Sequence, residues 1–256
     1  GARLWHDQRI AREGLGVADA ETGDTRVHLR DWQLTRTDDG TYTARLPAGE
    51  FALDLRFAPT QPPLLQGQQG LSRKGPEPEQ ASYYYSVPQL AASGTVRLQG
   101  RRSTITGKAW LDHEWSEALM HPDAVGWDWI GMNLDDGSAL TAFQLRRRDG
   151  SALWDGGSFR APDGSTRIAQ RGQTEFRAQR HWTSPATGTR YPVEWAVRTP
   201  QATFTVRAVL DAQELDSRAS TGAIYWEGLS DLLDGNGRRV GRGYLEMTGY
   251  AQRLRI

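Results

Sequence analysis

The sequence predicts an all-β protein, and three features of the 256-residue chain lead to that prediction. Apolar and polar residues alternate over several short runs, which is the period of a strand with one buried face. Asp-Gly and Asn-Gly pairs lie between the runs and supply the positive φ angle that tight hairpin turns require. Helical periodicity is scarce. Short strands joined by hairpins predict an antiparallel meander that closes as a barrel or a sandwich.

The alternation is clearest in three segments, Phe51–Phe57, Val193–Arg198 and Phe204–Leu210. In the first of them the odd-numbered apolar residues share one face, while Asp54 and Arg56 share the other. No helical pattern separates the strands, which excludes a doubly wound α/β fold.

The segment Pro59–Pro78 interrupts this rhythm, because its prolines disfavour a central strand. We therefore predict a long loop there, and long loops in compact folds are often functional. The predicted domain boundary lies later, near Ala118–Asp123. It divides the chain into residues 1–118 and residues 119–256.

Composition excludes several classes of function. Lysine plus arginine and aspartate plus glutamate each number 31, so the net charge is zero. A nucleic-acid binder or a protein held on an anionic membrane would need a basic excess. No apolar run is long enough to span a bilayer. The chain has no cysteine, and its glycine-rich pieces do not open a helix after a strand, so no disulfide and no nucleotide cofactor is expected.

The chain is rich in aromatic residues, with 10 tryptophans and 8 tyrosines. Such residues line the mouths of barrels that hold apolar ligands, and they also fill ordinary cores. Both interpretations stay open for any single tryptophan.

The segment Trp110–Ser116 combines aromatic residues with acids and a histidine. In a strand, His113 shares a face with Trp115, and Asp112 shares the opposite face with Trp110. We expect His113 to face an apolar interior or a ligand cavity, either as a satisfied core histidine or as a functional one. No second histidine clusters with it, so no metal site is predicted.

The segment Gly126–Met132 places Asp128 among apolar residues. Its tryptophans, Trp127 and Trp129, point to the other side. A carboxylate on an apolar face is costly unless it is paired or protonated, so Asp128 is either an ion-pair partner or a poised acid. We hypothesise that His113 and Asp128 flank one pocket.

Three consecutive tyrosines follow the proline-rich segment, and Tyr83 and Tyr85 share one face of the predicted strand. At least one of the adjacent cations Arg73 and Lys74 is expected to form an ion pair. Its predicted partner is one of three carboxylates: Asp112 or Glu114 of the segment around Trp110–Ser116, or Asp128 of the segment Gly126–Met132.

Four segments of the chain together match the pattern of a known family: Gly70–Ser86, Gly107–Ser116, Val125–Gly137 and Arg242–Ala251. They resemble the AttH-like family, which shares a superfamily with the carotenoid 1,2-hydratases and often carries the label "predicted secreted hydrolase". The resemblance runs over essentially the whole chain. It implies two lipocalin-like antiparallel β-barrel domains, in a periplasmic or secreted protein that is encoded near ABC-transporter components.

The sequence departs from the family pattern in two places. Family members carry about a hundred further residues at the N-terminus, so the resemblance implies that the first barrel is incomplete in this chain. The missing part is either supplied by another chain, a separate N-terminal fragment, or lost by truncation. His113 and Trp115 match the His-x-Trp pair of the hydratases. Their Tyr-x-Asp pair has no match, and Leu140–Phe143 occupies its expected place.

Three functions remain in competition. The first is binding or processing of an apolar or amphipathic small molecule in an aromatic-lined pocket, in or between the barrels. The predicted ligand contacts are Trp110, Trp115, Trp127, Trp129, Tyr83, Tyr85 and Arg73. The alternative is an acid-catalysed hydratase or lyase, in which Asp128 or Asp112 donates the proton, His113 orients it and tryptophans stabilise a carbocation. The third is a structural subunit of an ABC-type export system.

Overall fold

We describe the chain from a computed structural model that covers residues 3–117 and 120–253. Within these ranges the regular structure consists of nineteen β-strands, and no helix is present. The first nine strands are β1 (Ala18–Ala20), β2 (Arg26–Leu29), β3 (Trp32–Arg36), β4 (Tyr42–Pro47), β5 (Phe51–Ala58), β6 (Leu64–Leu65), β7 (Leu71–Arg73), β8 (Ala81–Leu98) and β9 (Arg101–Trp115). The other ten are β10 (Gly126–Leu134), β11 (Ala139–Arg146), β12 (Ala152–Arg160), β13 (Thr166–Ala169), β14 (Glu175–Thr183), β15 (Arg190–Arg198), β16 (Thr203–Ala208), β17 (Glu214–Ser217), β18 (Ala223–Leu233) and β19 (Arg239–Met247).

The strands form two antiparallel sheets. In the first sheet the order is β1-β2-β3-β4-β5-β8-β6, and β7 and β9 also pair with β8. In the second sheet the order is β13-β12-β11-β10-β19-β18-β16-β15-β14, and β17 pairs with β18. Among the described residues, neither order returns to its first strand, so the hydrogen-bonded sheets are open. The predicted all-β class is confirmed, whereas the pairing does not show the closure of a barrel.

The proline-rich segment contains two short strands that the sequence did not predict. Leu64–Leu65 and Leu71–Arg73 both pair with β8. The prolines of the segment lie outside these paired residues, so no ladder hydrogen bond is lost to them. The rest of the segment is loop and turn, as predicted. The described part of the chain has no helix of a length and apolarity that would cross a bilayer.

The chain also divides into two compact units. The larger unit consists of Gly1–Leu4, Pro63–Ser86 and Asp112–Ile256, and the smaller unit consists of Trp5–Pro62 and Val87–Leu111. The division therefore falls inside β8 and inside β9. The boundary predicted from the sequence falls on residues 118 and 119, which lie outside the described residues. Along the sequence, the strands of the first sheet end before this predicted boundary and those of the second sheet begin after it. The domain assignment stays a prediction.

The second sheet buries one face in the main core. Ile130 and Met132 of β10 are fully buried, and Ile130 is paired with the equally buried Leu245 of β19. Trp226 of β18, which is paired with the buried Met247 of β19, belongs to the same core. Each such side chain contributes about 1.5–3 kcal/mol by leaving water. The face of β10 that carries Trp127 and Trp129 turns away from this core, as the period-two pattern predicted.

Strand β11 is buried at every position from Ala139 to Arg146. A strand with only one covered face would alternate between buried and exposed residues. Both faces of the second sheet are therefore covered at this strand. The residues that cover the face turned away from the main core form part of the site described next.

Candidate functional site

A cavity of about 340 Å³ lies against the face of the second sheet that turns away from the main core. All of its lining residues belong to the larger compact unit. Its aromatic and apolar lining consists of Tyr84, Trp115, Met120, Trp127, Trp129, Phe143 and Leu145. Its ionisable lining includes Lys74, Asp112, Glu114, His121 and Glu246. A mostly apolar wall with a few polar groups is the usual composition of a small-molecule site.

The pairing of β19, β10 and β11 places three cavity residues of the second sheet side by side. Glu246 of β19 is paired with Trp129 of β10, and Trp129 is paired with Phe143 of β11. Directly paired residues of neighbouring strands project to the same face, so the three side chains form one row. The next residue in the row is Gly156 of β12. A Cβ atom there would lie 2.8 Å from the Phe143 ring, so the glycine leaves the space that this ring occupies.

Strands β8 and β9 supply the opposite wall. Tyr84 is buried, and its hydroxyl accepts a hydrogen bond of 3.2 Å from the Trp129 indole Nε1. Asp112 and Glu114 of β9 also line the cavity. Each accepts a hydrogen bond from a serine of β8. Ser86 donates to Asp112 at 2.5 Å, and Ser82 donates to Glu114.

Lys74 is the cation of the cavity. Its Nζ lies 2.8 Å from the Glu114 Oε1, 4.4 Å from the Phe143 ring centroid and 4.9 Å from the Tyr84 ring centroid. Both side chains of the ion pair are partly exposed, and cation–π attraction at such distances adds about 0.5–1 kcal/mol to it. The predicted ion pair between a cation of the loop and a carboxylate of β9 is confirmed for Lys74.

Glu246 is the group whose protonation the cavity changes most. Burial raises the pKa of Glu246 to about 8, and the negative charge of Glu227 acts in the same direction. Glu227 is directly opposite Glu246 in the β18–β19 pair. Asp112 and Glu114 raise the pKa further, against a hydrogen bond from Trp127 that lowers it. The side chain is therefore a neutral carboxylic acid at neutral pH, and it can donate a proton.

Glu227 lies in the same electrostatic environment. Burial raises the pKa of Glu227 above its ordinary value, and Asp112 contributes to the shift. Like charges directly opposite each other in a strand pair are unfavourable, so Glu227 and Glu246 do not both ionise readily.

His113 does not face the cavity, which corrects the prediction made from the sequence. It shares a face with Trp115 as predicted, but its own side chain is exposed and, unlike Trp115, does not line the cavity. The Tyr85 hydroxyl lies 3.0 Å from the His113 Nδ1. His113 also contacts the ring of Trp115, which in turn stacks on Tyr83 at a centroid distance of 5.6 Å. The period-two pattern sorted the residues of β9 correctly, and Asp112 and Glu114 of the opposite face line the cavity although both remain partly open to solvent.

Asp128 is a buried ion-pair partner. Its carboxylate lies 2.8 Å from the Arg146 Nε and accepts hydrogen bonds from Gln144 at 2.8 Å and from Tyr250 at 2.9 Å. Burial raises the pKa of Asp128, whereas Arg146 and the two hydrogen bonds lower it. The hypothesis that His113 and Asp128 flank one pocket is wrong, because His113 is exposed and Asp128 is enclosed on the core side of the sheet.

The other predicted site residues divide between the cavity and its surroundings. Trp115, Trp127, Trp129 and Asp112 line the cavity. Trp110 belongs to the smaller unit.

Arg73 does not line the cavity. It donates hydrogen bonds to the carbonyl oxygens of Gly75 and Pro76, and its guanidinium lies over the Trp154 ring at 5.3 Å. Among the described residues, no group of three or more histidines and acids is arranged to hold a metal ion.

Glu246, Tyr84 and Phe143 were not predicted as site residues. The sequence carried one signal for Glu246, since an acid between Leu245 and Met247 must face away from the core. It did not carry the pairing of β19 with β10, which joins residues more than a hundred positions apart.

The fold and the cavity define an all-β protein with an acid-containing, aromatic-lined cavity against its second sheet. The chain belongs to the AttH-like family, whose model matches residues 1–250. The crystal structure of an assigned AttH from Nitrosomonas europaea is 48% identical, with a TM-score of 0.91 over 95% of this chain and 76% of that chain. Kievitone hydratase from Nectria haematococca is 15% identical, with a TM-score of 0.72 over 90% of this chain and 71% of that chain. The second likeness concerns the fold alone, and the fold class is lipocalin-like, as the resemblance implied. The comparison with curated proteins gives no match.

Replacing Asp128 by alanine is expected to lower the free energy of unfolding by about 3–5 kcal/mol, because Arg146 is left buried without its counter-charge. The measurement is urea denaturation. The double change Asp128→Ala with Arg146→Met should cost less than the single change. Glu175→Ala, which breaks exposed ion pairs, should cost no more than about 1 kcal/mol. Equal losses for the single and the double change would contradict a structural ion pair.

The raised pKa of Glu246 makes the stability of the fold depend on pH. The folded state holds the proton up to about pH 8, whereas the unfolded chain releases it near the ordinary value of 4.5. The contribution of Glu246 is therefore fully present below pH 4.5 and is lost as the pH rises through 8. Above that pH, Glu246→Gln should be more stable than the parent by on the order of 2–4 kcal/mol.

Urea midpoints measured across this pH range test the expectation. Glu227→Gln is the matched variant, because it removes the neighbouring charge and should shift the loss of stability to lower pH without abolishing it. A parent and a Glu246→Gln variant with parallel pH profiles would show that Glu246 titrates normally.

Proposed function

We propose that this protein binds a small, largely apolar molecule in the cavity and transfers a proton to it from Glu246. The observation that carries the proposal is the placement of Glu246. Its carboxyl group opens into an aromatic-lined cavity, in one row with Trp129 and Phe143 and directly opposite Glu227.

Volume and lining support the binding step. A volume of about 340 Å³ is at the lower end of small-molecule sites, which span about 300–1,000 Å³. The ligand is therefore compact. Trp127, Trp129 and Phe143 offer it large, rigid apolar surfaces, and burial of such surface supplies the binding energy.

The state of Glu246 supports the proton transfer. A general acid works best when its pKa lies near the operating pH, and the pKa of Glu246 is raised to about 8. A proton delivered to a carbon–carbon double bond leaves a carbocation. The faces of Trp127 and Trp129 and the carboxylate of Asp112 can stabilise that positive charge.

Hydration is the class of reaction that we propose. A carbocation in a cavity that admits water takes up the water oxygen and becomes an alcohol. The similarly folded kievitone hydratase is named for such a reaction, and the likeness to it extends only to the fold. The proposal keeps the acid catalysis expected from the sequence, but the proton donor is Glu246 rather than Asp128 or Asp112.

Binding can be measured with N-phenylnaphthylamine, an uncharged fluorophore that brightens in apolar sites. Trp129→Ala should weaken its binding about tenfold, which corresponds to about 1.4 kcal/mol, because an aromatic wall of the cavity is removed. Trp110→Ala is the matched control, since this tryptophan lies in the smaller unit outside the cavity lining. Equal weakening in both variants would place the binding site elsewhere.

Proton transfer can be measured with a naphthyl vinyl ether. Protonation of its double bond and addition of water release naphthol, which is fluorescent. Glu246→Gln keeps the shape of the side chain without its acidity, so it should reduce turnover by about a hundredfold or more while N-phenylnaphthylamine still binds. Turnover at the parent's rate in Glu246→Gln would refute Glu246 as the donor.

A further inference from the structure

A continuous row of hydrogen bonds runs from the second sheet to Asp112. The backbone N–H of Ser158 donates to the Thr141 Oγ1 at 3.0 Å, and the Thr141 hydroxyl donates to the Gln66 Oε1 at 2.9 Å. The Gln66 amide donates to the Ser86 Oγ at 2.9 Å, and the Ser86 hydroxyl donates to the Asp112 Oδ1 at 2.5 Å. The four residues that precede Asp112 are each at most 3% exposed. Of the five residues, only Asp112 lines the cavity.

The direction of this row follows from its donor–acceptor distances. The Thr141 oxygen accepts from the Ser158 N–H, and its own proton has two acceptors in reach, the Gln66 Oε1 at 2.9 Å and the Ser158 carbonyl oxygen at 3.5 Å, so the shorter contact directs it to Gln66. The amide of Gln66 is then oriented with its oxygen toward Thr141 and its nitrogen toward Ser86. Ser86 accepts from Gln66 and directs its single proton to Asp112. Bonds aligned in one sense polarise one another, and the last of them ends on a carboxylate.

We propose that Asp112 is the proton acceptor that acts opposite Glu246 in the cavity, and that Ser86, Gln66 and Thr141 are its positioning residues. The proposal rests on the proposed function, since it names the second group of the same reaction. A hydrogen bond donated to the ionised form of a carboxyl group stabilises that form. The Ser86 hydroxyl at the end of the buried row therefore favours the carboxylate form of Asp112.

Glu114 is less suited to the role of acceptor. Its carboxylate forms the ion pair with Lys74 at 2.8 Å, and a neighbouring ammonium group weakens a carboxylate as a base. The ionised Asp112, in turn, is one of the charges that raise the pKa of Glu246. Two carboxyl groups with opposite protonation states in one cavity define an acid and a base.

The reaction balances with these two groups and water. The π electrons of the double bond take the proton of Glu246 and form a C–H bond, which leaves a cation on the neighbouring carbon and a carboxylate on Glu246. The oxygen of a water molecule forms a C–O bond to that carbon. The water gives up one proton to Asp112. Glu246 then regains a proton from solvent, and Asp112 releases one.

The experiment that tests Asp112 uses the intact chain and the naphthyl vinyl ether in D₂O. The parent should release naphthol without exchanging the vinyl hydrogens of recovered probe. In Asp112→Asn, Glu246 still protonates the double bond but water cannot lose its proton readily, so the cation returns to the ether. Naphthol release should fall about a hundredfold, and deuterium should appear in recovered probe.

The positioning residues are tested by carboxyl carbon NMR titration of the unliganded chain. Thr141→Val breaks the row outside the cavity, and we expect the pKa of Asp112 to rise by about one unit and that of Glu246 to fall. Ser86→Ala should do the same more strongly, while Thr141→Ser should restore the parent's values. Thr43→Val, in the smaller unit, controls for the loss of a strand hydroxyl.

The outcomes separate the two proposals. Naphthol release from Asp112→Asn at the parent's rate and without exchange would overturn Asp112 as acceptor, while the role of Glu246 would stand. No turnover in the parent would overturn both. An unchanged Asp112 pKa in Thr141→Val and in Ser86→Ala would overturn the positioning role. If Ser86→Ala does not fold, the comparison of Thr141→Val with Thr141→Ser alone decides the positioning role.

Discussion

The burial of the second sheet on both faces is the constraint on which the site depends. Leu245 and Met247 fill the main core, so Glu246 between them has to face the other side. If that side were open to solvent, the pKa of Glu246 would stay near its ordinary value. Instead β8 and β9 lie over it, and the Trp129 indole donates a hydrogen bond to the Tyr84 hydroxyl. The acid is therefore confined where water is scarce, next to a second acid on the adjacent strand. Its neutral form is a consequence of the sheet architecture.

Four carboxyl groups of the larger unit are stabilised in four different ways. Asp128, on the core side, has a guanidinium partner and two hydrogen-bond donors. Glu114 has an ammonium partner, Asp112 has a directed hydroxyl, and Glu246 keeps its proton. Only the last two arrangements leave a group that can exchange a proton with a ligand. A fully compensated ion pair, such as that of Asp128, favours a structural role.

Local pattern was enough to predict the strands and the faces of their residues. The period of two placed Asp128 on the face opposite to Trp127 and Trp129. The cost of burying a charge indicated that a carboxylate of β9 would need a cation as its partner. Pattern could not say which side chains of β9 would reach the cavity. His113 was predicted there together with Asp112 and Trp115, and only the last two line it. The placement of these side chains depends on long-range packing, as does the pairing of Glu246 with Trp129, and neither leaves a local trace.

The opposite protonation states of Glu246 and Asp112 have independent structural causes. Burial between two layers favours the neutral form of Glu246, whereas a row of donors that starts at a backbone N–H favours the charged form of Asp112. In this arrangement the Ser86 hydroxyl gives its one proton to the hydrogen bond with Asp112. The charge that this bond favours on Asp112 also disfavours ionisation of Glu246. The two causes therefore reinforce each other, and the cavity can hold an acid and a base at the same time.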